Sequence, residues 1–217
     1  MTMCSVSGCG RRTTGHSRYC NSHKTRSRRH GHPKQGAVTK AELKPYRKAV
    51  AEWMDVGDRW SKVLPVWDGL VRWAHGVRAV RLSGKPMCRF TADMAAEVLH
   101  VAADVEAKDV VEVVAGMCLM EEGDRRRFRS DDAFRVQVAR RFRGLTETNA
   151  GCYWDQAEGR MKRVYRDPSP RVSVMLGQVL VERLGVVGVY VHRARERDDE
   201  ARRVMVRALA EEVGDHA

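Results

Sequence analysis

The sequence predicts a mainly α-helical protein in two parts, a small N-terminal module over residues 1–36 and a multi-helix domain over residues 37–217. Three observations carry this expectation. Half of the six cysteines fall within the first twenty residues, in a stretch too short and too polar to build an apolar core. From Thr39 onward, apolar residues recur at helical spacing in segments bounded by Ser, Thr, Gly and Pro. Finally, 217 residues with 43 % apolar content suffice for one substantial domain plus an appendage.

The first part is organised by Cys4, Cys9, Cys20 and His23, spaced C-x4-C-x10-C-x2-H. Three thiolates and one imidazole suit a tetrahedral Zn²⁺, which would hold together a segment that has no core of its own. The Cys20–His23 pair is tight enough for one turn to aim both side chains at a single ion. His16, His30 and His32 lie nearby, but none pairs with a cysteine at so good a spacing. A disulfide framework fits less well, because three cysteines leave one unpaired and no secretory signal precedes them. Four protein ligands leave the ion no open position, so the zinc is expected to be structural.

Cys9, Arg11, Tyr19-Cys20, His23, Arg26, Arg28-Arg29, and His30-Gly31 followed by Pro33 resemble the small CCCH zinc modules of bacteriophage and mobile-element proteins. Such modules often accompany HNH endonucleases and are taken to grip DNA. The resemblance covers residues 4–33 and implies a DNA-binding module acting in a bacterial host cell. Downstream the histidines are isolated (His75, His100, His192, His216), with no spacing of an HNH core.

Charge points the same way. Residues 1–48 contain twelve Lys or Arg against one acid, Glu42, and so carry +11 of the net +12, leaving +1 for the other 169 residues. A field this lopsided suits a polyanion. Arg11, Arg12, Arg18, Lys24, Arg26, Arg28, Arg29 and Lys34 are the expected phosphate contacts. No amphipathic apolar face accompanies them, which disfavours a membrane surface. The longest apolar run, Leu184 to Val191, is eight residues and cannot span a bilayer. Cys88, Cys118 and Cys152 are scattered as in a reduced, cytoplasmic protein.

Residues 31–36 read as a linker. Thr39-Lys-Ala-Glu42 matches a capping box that starts a helix near Lys40. Trp53, Trp60 and Trp67, each with an apolar residue three further on (Val56, Val63, Leu70), lay a seam extended by Trp73, Ala74 and Val77, with a break near Gly57 or Pro65. A sub-boundary is expected near residues 84–90. Thr91 is expected to cap a helix bearing Met94, Val98, Val101 and Val105 on one face. Val110 to Met120 is apolar nearly all round and reads as the most buried helix, although its valines also suit a strand.

Ser130, followed by Asp131 and Asp132, opens a helix with Phe134, Val138, Phe142 and Leu145 on one side. Residues Asn149 to Trp154 read as a loop. Ser169-Pro170 starts a helix that runs to Leu184 and ends at Gly185. Val186 to Val191 suits either a strand or a helix start. The tail from Arg193 reads as a solvated helix packing one side through Ala201, Met205, Ala208 and Leu209.

The arginines of 125–143, with Arg160, Lys162, Arg163, Arg166 and Arg171, are interleaved with acids and read as a salt-bridged face. No GxxxxGK[ST], GxSxG or HExxH motif is present. The expectation is therefore a DNA-binding protein rather than an enzyme, in transcription or replication control, whose helical domain meets a protein partner or a second copy. A metal-dependent nuclease or recombinase using residues 147–171 is the alternative from another class. A virion or host-takeover protein whose basic arm docks on an acidic protein is a third.

Overall fold

The N-terminal turns lead into α1 (Asn21–His30), and α2 (Lys40–Met54) opens the helical part in a computed structural model that describes residues 2–147, 149–165 and 167–214. There follow α3 (Arg59–Leu82), α4 (Arg89–Asp104), α5 (Ala107–Gly123) and a 3-10 turn (Arg125–Arg127). Next come α6 (Asp131–Arg143), the antiparallel hairpin β1 (Asn149–Asp155) and β2 (Arg160–Tyr165), α7 (Pro170–Leu184) and α8 (Val186–Gly214). The expected mainly α fold with an N-terminal Cys/His cluster is what the chain adopts.

The valine-rich segment resolves as α5, the central helix. Val110, Val111, Val114, Ala115 and Met117 are all fully buried. A helix pairs its own backbone groups, so it can be apolar on every side and packed by neighbours on every side. α2, α6, α7 and α8 surround it. Two neighbours come close through glycine. Gly177 of α7 faces the backbone of Arg135 in α6, and Gly188 of α8 faces Ala115 in α5.

Local capping follows the sequence at three helix starts. Thr39 Oγ1 accepts from the Glu42 N–H at 3.1 Å while Glu42 Oε2 accepts from the Thr39 N–H at 3.3 Å, closing the capping box. Ser130 Oγ accepts from Ala133 N–H at 3.1 Å, and Ser169 Oγ from Val172 N–H at 3.3 Å. Thr91 does not cap: α4 begins two residues earlier behind Cys88, and Thr91 lies in its first turn.

The tryptophan seam is divided. The break falls at Gly57, in a left-handed conformation (φ 65°), whereas Pro65 is accommodated inside α3. Trp67 is buried edge-on to Phe142 with ring centroids 5.9 Å apart. Trp53, on the other side of the break, stacks with Tyr190 of α8 and carries Arg59 over its ring. Val56 and Trp73 are exposed. A seven-residue spacing drifts around an α-helix, and the break at Gly57 resets the phase.

Three later segments differ from expectation. Asn149 to Trp154 is a strand, not a loop; Asp155 Oδ1 accepts from the N–H groups of Ala157 and Glu158, turning the chain back into β2. Val186 to Val191 is helical, with Val187 and Val191 buried beside Ala115 and Leu119. The tail is helical, but Val204, Met205 and Val206 are 58–66 % exposed, so that side packs on nothing described. The Ala208 and Leu209 side chains lie outside the described residues. No single described helix is long and apolar enough to cross a membrane.

Residues 31–38 lie against the helical bundle. Gly31 (φ 80°) ends α1 so close to α6 that a Cβ there would stand 2.8 Å from the Ala133 Cα. Gln35 is buried; its Oε1 accepts from Arg129 N–H at 3.0 Å. Gln137 of α6, also buried, accepts from Val38 N–H through Oε1 at 3.0 Å and donates through Nε2 to His30 Nδ1 at 3.2 Å. Burial, then the charges of Arg140, Arg26 and Arg29, hold the His30 pKa below its ordinary value. Gln137→Leu should destabilise the protein by about 1–3 kcal/mol, because the buried Val38 N–H then loses its acceptor. Urea unfolding reads this directly, and an unchanged midpoint would show that the Gln137 bridge is not needed.

Candidate metal centre

Two short devices assemble the Cys/His cluster. Ahead of α1, Cys4 N–H donates to the Arg11 carbonyl and Cys9 N–H to the Val6 carbonyl, both at 3.0 Å, folding residues 4–11 back on themselves. Gly8 (φ 79°) makes the turn between Val6 and Cys9. Cys20 is the N-cap of α1, its carbonyl accepting from Lys24 N–H at 2.9 Å, and its thiol makes no capping bond. His23 lies in the first turn of that helix, so one turn brings both side chains to the same side.

The four ligand atoms lie within 4.8 Å of one another. His23 Nδ1 is 3.4 Å from both Cys4 Sγ and Cys20 Sγ, and Cys9 Sγ is 3.9 Å from Cys20 Sγ. Ideal tetrahedral zinc at ordinary bond lengths puts sulfur pairs about 3.8 Å apart and sulfur–nitrogen pairs about 3.6 Å apart. The cluster fits a single ion, and all four groups that the spacing singled out are the ones brought together. The cysteines are free thiols, so the disulfide alternative does not hold. His30 instead faces Gln137, and His32 Nδ1 accepts from Lys34 N–H at 3.2 Å.

Around the cluster, Cys4, Val6 and Cys20 are buried, with Cys9 and Tyr19 packed partly over them. Arg11 closes one side. Its Nη1 donates to Ser22 Oγ at 2.8 Å, and hydrogen bonds from its backbone and side chain lower the Cys9 thiol to about 7. A bound cation would lower it further.

The eight basic residues expected at phosphates are all exposed, but they divide by placement. Arg11 is turned to the thiols. On α1, His23, Ser27 and His30 form the inner face, while Lys24, Arg26, Arg28 and Arg29 stand outside it. Arg12, Arg18 and Lys34 flank the helix from the preceding loop and the following turn.

Much of the second arginine group is salt-bridged. Arg127 pairs with Glu42 at 2.5 Å, Arg143 with Glu97 at 2.6 Å, and Arg125, Arg135 and Arg160 with neighbouring acids. Arg171 lies over the Phe90 ring. Lys162 of β2 reaches both Asp155 at the end of β1 and Glu158 in the connecting turn. Arg166 and the side chains of Arg163 and Tyr165 lie outside the described residues. No protein-family profile, curated protein or solved structure matches the chain.

Proposed function

We propose that residues 1–36 bind one structural zinc ion and that the basic surface around it grips the phosphate backbone of DNA. The observation that supports this is the joining of two features in one place. Three thiols and one imidazole with ligand atoms within 4.8 Å of one another sit beside a helix that carries Lys24, Arg26, Arg28 and Arg29, and no acid occurs before Glu42. Three thiolates with one imidazole favour zinc over magnesium or calcium, which take oxygen ligands. With four protein ligands the ion shapes the module and performs no chemistry. The resemblance of residues 4–33 to phage and mobile-element modules supports a binding protein of transcription or replication control in a bacterial cytoplasm. In that reading the helical domain meets a protein partner or a second copy.

A duplex titration of the zinc-loaded chain across salt concentrations tests this. With four to six phosphates engaged, log affinity should fall against log salt with a slope of about −4 to −5. Neutralising Lys24 and Arg26 together should make the slope shallower by about 1.8, at about 0.9 per lost contact. A slope near zero would refute phosphate binding.

A further inference from the structure

Between α1 and the helices α6 and α7 lies a cavity of about 240 Å³. Arg28 and Arg29 line it from α1, Arg140 and Arg143 from α6, Ser173 from the first turn of α7, and Asp167 from the segment before α7. These arginines differ in what balances them. Arg143 is buried and committed to Glu97 at 2.6 Å and Asp167 at 3.5 Å. Arg140 is partly buried, and its Nη1 donates to the Arg29 carbonyl at 3.4 Å. Among the described residues no carboxylate lies within ion-pair distance of Arg28, Arg29 or Arg140. Asp167 is the one carboxylate among the lining residues, its charge reaches Arg140 as well, and Arg143 already shares it, so four guanidinium groups face a single acid; gathering them out of water is costly unless a further anion joins them.

We propose that this cavity is a binding site for a phosphomonoester, supplied by a nucleic-acid end or by a free phosphate compound. Guanidinium forks bond phosphate oxygens in pairs, and three uncommitted forks suit a group with three free oxygens. A phosphomonoester carries about −1.5 to −2 at neutral pH, against −1 for a backbone diester, and so relieves more of the local repulsion. Size selects the same ligand. The cavity is below the roughly 300–1,000 Å³ of small-molecule clefts, and an end group fits where the continuous rail of a duplex cannot enter. The nucleic-acid source rests on the DNA reading above, whereas the cavity and its anion do not. The site spans the seam between the metal module and the bundle, so occupancy would fasten one to the other.

The test uses the full zinc-loaded chain and one short duplex in three forms: 5′-phosphorylated, 3′-phosphorylated and hydroxyl-ended. One end phosphate should tighten binding about tenfold, as one or two charge-assisted hydrogen bonds allow. Arg140→Gln should erase that gain while leaving affinity for the hydroxyl-ended duplex unchanged. Arg140→Lys, which keeps the charge and the stem but not the fork, should retain part of it. Thermal unfolding with inorganic phosphate is the second arm. If no duplex binds, yet phosphate raises the melting temperature of the wild type and not of Arg140→Gln, the site stands with a free phosphate compound as its ligand, and the DNA reading fails. No gain from either end together with no thermal shift would overturn the site, whatever the duplex affinity. A gain that survives in Arg140→Gln would overturn it as well.

Discussion

Cys20→Ala is expected to abolish metal retention and to unfold residues 2–30, while the helical bundle stays intact. Cys20 is buried, caps α1, and places its sulfur 3.4 Å from His23 Nδ1 and 3.9 Å from Cys9 Sγ. Removing it leaves three ligands and an open coordination position. The buried apolar cluster of this segment is Cys4, Val6 and Cys20, two of them from the Cys/His set, so little else holds the segment. Structural zinc contributes an apparent 10–16 kcal/mol or so in comparable modules, and most of that should go with one thiolate. The main core from Val38 to Leu184 contains no metal ligand and depends on burial alone. Elemental analysis should find one zinc in the wild type and none in the variant. Far-UV circular dichroism should lose little beyond the ten residues of α1. Stoichiometric zinc in Cys20→Ala would sink the assignment of ligands. Collapse of the whole helical signal would show that the bundle leans on the module for its stability.

Gly177→Ala should destabilise the bundle by about 3 kcal/mol or more, and Gly177→Val by more still. In an exposed helix the alanine change would be favourable by about 0.5–1 kcal/mol, so packing must reverse the sign. At Gly177 a Cβ would stand 1.9 Å from the Arg135 carbonyl oxygen and 2.5 Å from its carbon. Those are backbone atoms and cannot swing aside as a long side chain does. α6 and α7 would have to separate, loosening Val138 and Phe142 on one helix and Leu176 and Leu180 on the other, all fully buried. Against a total stability of about 5–15 kcal/mol, that loss is a large share. Gly36 has nothing within 4 Å of its would-be Cβ, so Gly36→Ala should stay within about 0.5 kcal/mol. Urea midpoints of the two variants decide the point. A neutral Gly177→Ala would mean that the helices stand further apart than these distances.

Features that depend on residues a few positions apart could be read in advance. The metal cluster is the clearest case, because Cys20 and His23 need one helical turn to converge, and Cys9 needs one tight turn to meet Cys4. The caps at Thr39, Ser130 and Ser169 belong to the same class, since each side chain bonds a backbone N–H three residues on. The all-round apolar α5 was legible as the most buried segment, and its helical form followed once helices surrounded it.

Where sequence reading failed, the deciding contact was with something distant or a competing local signal was passed over. Asn149 to Trp154 reads as a loop by itself, and only its pairing with Arg160–Tyr165 makes it a strand. The tail's apolar residues suggested a packed face, yet no described element comes near Val204, Met205 or Val206.

By itself, then, the sequence determined the Cys/His cluster, the helix starts at Thr39, Ser130 and Ser169 and the concentration of positive charge ahead of Glu42, because local geometry and composition suffice for those. Only the tertiary structure decided that residues 31–38 lie against α6, that His30 meets Gln137 across 107 positions, and that Arg28 and Arg29 share a cavity with Arg140. Such neighbours are chosen by how whole helices pack, and no short stretch of sequence encodes that.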